Sequence, residues 1–306
     1  MKLNNWLAAF TGFWLLSFAA QASAKIDVVT TTSDLAALTK AVGGDLVNVT
    51  SIAKGYQNPH LVDAKPSFIL QLQKAELFVQ VGLDLEVWVQ PLLDSARNPR
   101  IRPGREGYVN AAVGVPLLEV PREKLDRSRG DIHIYGNPHY WTDPENAKII
   151  VNNITAGLKR VDAAHADDYE KNRKAYLAKL DDLLDRTLAK MKPYKGAKIV
   201  AYHNSWPYFA RRYGLNVVDF IEPKPGIPPT PTHVAELIQT MKREGVKVII
   251  KEPYFSDAVP NSIAKQTGAT VVQLPPSVGG EKGTDDYIAL IEHNVNKLVA
   301  ALQRAT

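Results

Sequence analysis

The chain has 306 residues, room for two domains at roughly 100–200 residues each, and its 45% hydrophobic and 23% charged content is that of a soluble globular protein. There is no cysteine, which excludes disulfide staples and thiolate metal ligands, so any metal site must be built from His, Asp, Glu and water. The net charge of +5 is spread along the chain and mixed with acids, as in Asp167-Asp168-Tyr169-Glu170-Lys171, with no basic cluster interleaved with aromatics, so nucleic-acid binding is not expected.

The first segment reads as a leader. Lys2 gives a positive start, Trp6 to Ala20 is nearly all apolar, and Ala22-Ser23-Ala24 supplies the small residues of a signal-peptidase site. The alternative is an uncleaved anchor, but the apolar run falls short of the roughly 20 residues a span needs. No cysteine follows the run, so a lipoprotein anchor is excluded. A signal peptide is expected over 1–24, with a mature, periplasmic chain from Lys25.

From there short β-rich runs alternate with helical ones. Strands are predicted at Ile26 to Thr30, Val47 to Ile52 and Leu77 to Val81. Helices are predicted from Ser33 to Val42, from Pro66 to Lys74 and from Leu85 to Ala96, the last ended by Asn98-Pro99. Such alternation indicates an α/β lobe with a parallel-type sheet. Between Pro144 and Lys192 the pattern changes to helical spacing, with Tyr169, Tyr176, Leu180, Leu183, Leu184, Leu188 and Met191 on one face. One helix is expected near 145–160 and a longer one over 165–191, long enough to run the height of two lobes at about 1.5 Å per residue.

The alternation then returns. Strands are predicted at Ala197 to Ala201, Asn216 to Phe220, Val246 to Lys251 and Ala269 to Leu274. Helices are predicted at Trp206 to Tyr213, Thr232 to Glu244, Val259 to Thr267 and Asp285 to Gln303. The resulting division is a first α/β lobe over 25–160, a connecting helix over 161–192 and a second α/β lobe over 193–306. The proline-rich stretch from Glu222 to Pro231 is expected to be a stiff loop of the second lobe.

Three histidines stand in related settings. His60 follows Asn58-Pro59, His139 follows Asn137-Pro138, and His203 comes just after the strand ending at Ala201. Ligand crevices in α/β sheets lie at the carboxyl ends of strands. Two of the three come from the first lobe and one from the second, which places a candidate site in the cleft between them. A single loop histidine is more often a surface residue. The repeated Asn-Pro-His raises the signal, because proline stiffens the loop that aims the imidazole. Imidazoles suit zinc and other late transition metals, and an oxygen ligand would complete a tetrahedral zinc site.

Asn58-Pro-His60 with Lys65-Pro-Ser67, the run Asn137-Pro-His139-Tyr-Trp-Thr-Asp-Pro144, and Ala201-Tyr-His203 resemble the metal-binding motifs of the cluster A-I (ZnuA/TroA-like) solute-binding proteins of ABC transporters. The likeness extends over the mature chain, including the long central helix and Glu252-Pro-Tyr-Phe-Ser256. The resemblance implies two α/β lobes joined by a rigid backbone helix, with the metal held between them. A histidine at the position of His203 leans towards Zn2+, with Mn2+ or another divalent transition metal less favoured. The implied partners are an inner-membrane ABC permease and, as a further candidate, a periplasmic metal donor, and a monomer is expected.

Two departures from the family pattern stand out. Its members supply a fourth ligand as Asp in a Leu-Asp-Pro-like segment, and here Gln273-Leu-Pro-Pro276 puts Pro275 at that place. Glu252, just past a predicted strand of the same lobe, is the expected substitute, with Glu222 or a water as alternatives; Glu252 would otherwise cap its loop or support a ligand. The stretch from Glu119 to Gly136 lacks the His-rich insertion of many zinc-binding members, so His133 is expected to be exposed. His165, His233 and His293 read as structural or surface residues, and Asp143 as a candidate acceptor behind His139. Metal binding is expected to weaken in acid, as protons compete for the same nitrogens. A zinc hydrolase with Glu252 as general base is the competing class, but no H-E-x-x-H motif supports it. Loss of metal binding altogether is a third reading, resting on Pro275 alone.

Overall fold

A computed structural model describes residues 25–121, 133–224 and 226–305; the predicted leader lies outside them. Two four-stranded, all-parallel sheets form the frame. The first comprises β1 (Ile26–Thr30), β2 (Val47–Ser51), β3 (Leu77–Gln80) and β4 (Tyr108–Asn110) in the order β2-β1-β3-β4. The second repeats that order as β6-β5-β7-β8, with β5 (Lys198–Ala201), β6 (Asn216–Phe220), β7 (Val248–Lys251) and β8 (Thr270–Gln273). Parallel strands need helical crossovers, supplied by α1 (Ser33–Gly43), α2 (Pro66–Lys74) and α3 (Val89–Ala96) in the first lobe. In the second they are α6 (Pro207–Tyr213), α7 (Pro231–Glu244) and α8 (Ala258–Thr267).

α4 (Pro144–Val161) packs on the first lobe, and after it runs the 26-residue α5 (Ala166–Met191), which at about 1.5 Å per residue is roughly 40 Å long. α5 lies against α1 and α4 on one side and the closing helix α9 (Tyr287–Ala305) on the other, so it joins the lobes as the sequence leads one to expect.

The alternation of side chains along the strands explains why the halves cohere. In β1 and β3, Val28, Leu77 and Val79 face a central core, while Val29 and Phe78 face a separate core under α2 and α3. In β5 and β7, Ile199, Ala201, Val248 and Ile250 face that same central core, and Val200 and Ile249 face another under α7 and α8. One apolar cluster therefore runs through both lobes. Close backbone approach adds to it: a Cβ on Gly55 of the first lobe would stand 2.0 Å from the Val278 carbonyl oxygen of the second, so only glycine fits there.

Two differences from the predicted elements have local causes. β4 is only three residues long, too short for its alternation to register. The third helix starts at Val89 rather than Leu85, because Leu83 and Asp84 take left-handed conformations (φ 55° and 60°) and Glu86 spends its carboxylate on the Val81 and Gly82 amides.

Candidate metal centre

The carboxyl ends of the strands converge on the cleft. His60 sits in the long loop after β2, His203 two residues past β5, Glu222 just past β6 and Glu252 just past β7. His139 lies ahead of α4, whose first turn is capped by Asp143 accepting from the Glu145 amide at 2.9 Å.

The two Asn-Pro-His motifs fold alike. Asn58 Oδ1 accepts from the His60 amide and Asn137 Oδ1 from the His139 amide, both at 3.0 Å. Each is an asparagine turn that fixes the histidine two residues on. Trp88 Nε1 donates to the Pro59 carbonyl at 2.9 Å and holds the first loop down. The asparagines stood in view in the sequence, but their part was missed there, where proline alone was credited with stiffening the loop.

His60, His139 and His203 are all buried, and each offers a ligand nitrogen within 4.8 Å of the other two. Their ring centroids are 5.1, 5.3 and 5.4 Å apart. The Nε2 atoms of His60 and His139 are 3.1 Å apart, close to the edge of about 3.3 Å that a tetrahedron has at Zn–N bonds of about 2.0–2.1 Å. Trp141 lies against His139 and Phe255 against His203, walls that keep bulk water off the rings.

Each side of the cleft orients its imidazole differently. Asn137 Nδ2 donates to the Asn204 carbonyl and to Glu119, which leaves its oxygen to accept from His139 Nδ1 at 3.0 Å. His139 Nε2 is thereby the bare nitrogen. Glu222 Oε2 accepts from His203 Nδ1 at 2.5 Å, the carboxylate–histidine pairing that raises ligand basicity. Burial first, then the neighbouring imidazoles, hold His60 and His139 well below the usual histidine range. Both are therefore neutral at pH 7 and ready to coordinate.

Asp143 is not the acceptor behind His139. Its carboxylate caps α4 and takes two bonds from Arg212, at 2.7 and 3.0 Å, and Asn137 has the role instead. Glu222, named as an alternative to Glu252, lies behind His203. Glu252 is fully buried, accepts from Trp206 Nε1 at 3.0 Å, and does not fall in the group formed by the three imidazoles. Burial pushes its carboxyl up to about 7. Pro275 turns its carbonyl to Asn294 Nδ2 and offers no side-chain ligand. His165 and His293 pair with Asp162 and Glu281, and His233 with the Phe220 carbonyl, which accounts for all three structurally. His133 is not exposed as expected: it is half-buried, with its ring 5.1 Å from that of His60.

Comparison with known proteins agrees with this geometry. Residues 28–301 match the family described as zinc-uptake complex component A, periplasmic. The chain belongs to the ZnuA family. It is 31% identical to the high-affinity zinc uptake system protein ZnuA of Bacillus subtilis (strain 168), over 91% of this chain and 88% of that protein. It is 28% identical to the zinc-binding lipoprotein AdcA of Streptococcus pneumoniae (strain ATCC BAA-255 / R6), over 97% of this chain but only 60% of that longer protein. A zinc-bound crystal structure of a ZnuA deletion mutant superposes with a TM-score of 0.76 at 26% identity, over 90% of this chain and 98% of that one. As a ZnuA-family member the chain is a periplasmic metal-binding protein that works with an ABC permease, a transport component rather than an enzyme.

Proposed function

We propose that this ZnuA-family protein captures one Zn2+ in its cleft through His60, His139 and His203 and carries it to its permease. The observation that supports this most is the set of three buried imidazoles with mutually adjacent nitrogens, two of them with a hydrogen-bond acceptor on the opposite ring nitrogen. Three imidazole nitrogens suit zinc better than manganese, which prefers oxygen. Glu252 enters this reading as a support of Trp206 beneath the site: one carboxylate oxygen accepts from Trp206 Nε1, and the other is buried without a partner. The lobes are taken as 25–160 and 193–306, joined by the rigid backbone helix over 161–192, and the protein acts as a monomer that can accept zinc from a periplasmic donor.

The test is metal content of the mature protein purified under native conditions, measured by plasma mass spectrometry. About one zinc per chain is expected in the wild type and none in His139→Ala. Equal retention of zinc by His139→Ala, or uptake of manganese in preference to zinc after stripping, overturns the assignment.

A further inference from the structure

We propose that His133 is a fourth ligand for the cleft metal, closing the shell with nitrogen where the family pattern leads one to expect a carboxylate. The inference deepens the three-histidine reading and rests on it. His133 is one of four imidazoles packed together: its ring is 5.1 Å from that of His60 and 6.3 Å from that of His139. The chain itself brings it there. The Gly136 amide donates to the His133 carbonyl at 3.3 Å, closing a turn that leads directly into Asn137-Pro138-His139. Gly136 takes φ 110°, and a Cβ there would stand 2.9 Å from the Leu118 carbonyl oxygen, so glycine is required at this turn.

The two nitrogens of His133 are unequal. Nε2 is buried and has no hydrogen-bond partner. A buried polar atom left bare costs about 1–3 kcal/mol, so its position calls for an explanation. The ring's hydrogen bonds go to the backbone of Leu83 and Asp84 and therefore fall to Nδ1. A ligating histidine has this arrangement, with one N–H given to a carbonyl and the other nitrogen bare for the metal.

The partner loop is built with equal care. Leu83 and Asp84 are consecutive non-glycine residues at positive φ, a conformation that costs of order 1 kcal/mol or more per residue and persists only where surroundings impose it. Glu86 imposes it: it is buried and accepts from the Val81 and Gly82 amides and from Thr31 Oγ1, at 2.7, 2.9 and 2.6 Å. His133 does not fall within the 4.8 Å group of the other three, so a rotation of its side chain completes the shell as the metal enters.

The experiment compares the wild type with His133→Ala, Glu252→Gln and His203→Ala, using zinc titration by competition with a chelator and X-ray absorption of the zinc-loaded proteins. The cobalt-substituted form supplies a visible spectrum sensitive to coordination. Four nitrogen-type scatterers in the wild type are expected. His133→Ala should show three plus an oxygen, an affinity about 100-fold weaker and an altered cobalt spectrum, while Glu252→Gln stays like the wild type. Unchanged absorption and affinity in His133→Ala, with His203→Ala losing zinc, overturn this inference and leave the three-histidine reading standing. A changed spectrum in Glu252→Gln and not in His133→Ala overturns it in favour of the carboxylate. Unchanged zinc binding in His203→Ala overturns both.

Discussion

The two lobes are built on the same strand order yet bring different things to the cleft. The first contributes His60 and His139 from loops locked by asparagine turns, oriented by neutral groups such as Asn137. The second contributes His203 alone, placed just past a central strand and backed by the carboxylate of Glu222. The first lobe thus holds two rigid nitrogens, and the second adds one more basic nitrogen together with a negative charge to offset the ion. One site is assembled from two incomplete halves, so metal capture is coupled to the relative position of the lobes.

The largest effect should come from removing one half. Structural zinc sites gather about 10–16 kcal/mol over four ligands, or roughly 2.5–4 kcal/mol each, which is about 10²–10³-fold per ligand. Replacing both His60 and His139 with alanine should weaken zinc binding by about 10⁴–10⁶-fold. His203→Ala should cost only about 10²–10³-fold, because the first-lobe pair remains. Chelator competition on the apo-proteins measures both, and equal losses would show that neither lobe forms a partial site of its own.

Next in size are the groups behind the rings. Glu222→Gln keeps the shape and lets the amide oxygen accept from His203, but removes the charge; zinc affinity should fall about 10–100-fold. Asn137→Ala should lower affinity by about 10-fold. It should also destabilise the apo-protein by about 1–2 kcal/mol, since its bonds to Asn204 and Glu119 tie the loops together. Chemical denaturation separates the two: Glu222→Gln should leave apo-protein stability nearly unchanged. If its stability falls as far as its affinity, Glu222 is holding the fold rather than tuning the ligand.

Much of this was legible in the sequence. Val- and Ile-rich runs alternating with capped helices specified two parallel sheets, and a stretch free of proline from Glu145 to Lys192 specified the joining helices. The three histidines that cluster in the cleft were legible because Asn-Pro-His occurs twice and a histidine follows a strand end. What could not be read was set by contacts between distant segments. Asp143 and Asn137 both lie near His139 in sequence, and only the packing of Arg212 against Asp143 decides that Asn137 faces the ring. Glu222 and Glu252 each follow a strand of the second sheet. Their different depths, one meeting His203 and the other Trp206, follow from strand order and loop path rather than local pattern. His133 looked exposed because a lone histidine in a polar loop has no local reason to turn inward; that reason is supplied by the backbone of Leu83 and Asp84, some fifty residues away.

The smallest predicted effect lies where the lobes meet rather than in the metal site. Asp34, at the start of α1 in the first lobe, accepts from the Val278 amide of the second at 2.9 Å, and its other carboxylate oxygen has no partner. Val278 belongs to the segment of Pro275, where the resemblance leads one to expect an aspartate, and a buried carboxylate touches this segment from the opposite lobe as a latch. Burial raises the Asp34 carboxyl from 3.8 to about 7. The folded state therefore holds this proton more tightly than the unfolded chain. That contribution to stability is complete below about pH 4 and is lost as pH rises through about 7. An amide in place of this carboxyl does not titrate, so Asp34→Asn should gain on the wild type as pH rises. Between pH 5 and pH 8 about two pKa units of the shift are traversed, which bounds the gain at about 2–3 kcal/mol, while the weaker bond an amide oxygen accepts from Val278 lowers the variant equally at both pH values. Thermal melts of metal-free protein at pH 5 and pH 8 should show the variant a few degrees better, relative to wild type, at the higher pH. A difference that does not change between the two would mean that Asp34 is ionised throughout, and that the seam between the lobes admits enough water to solvate it.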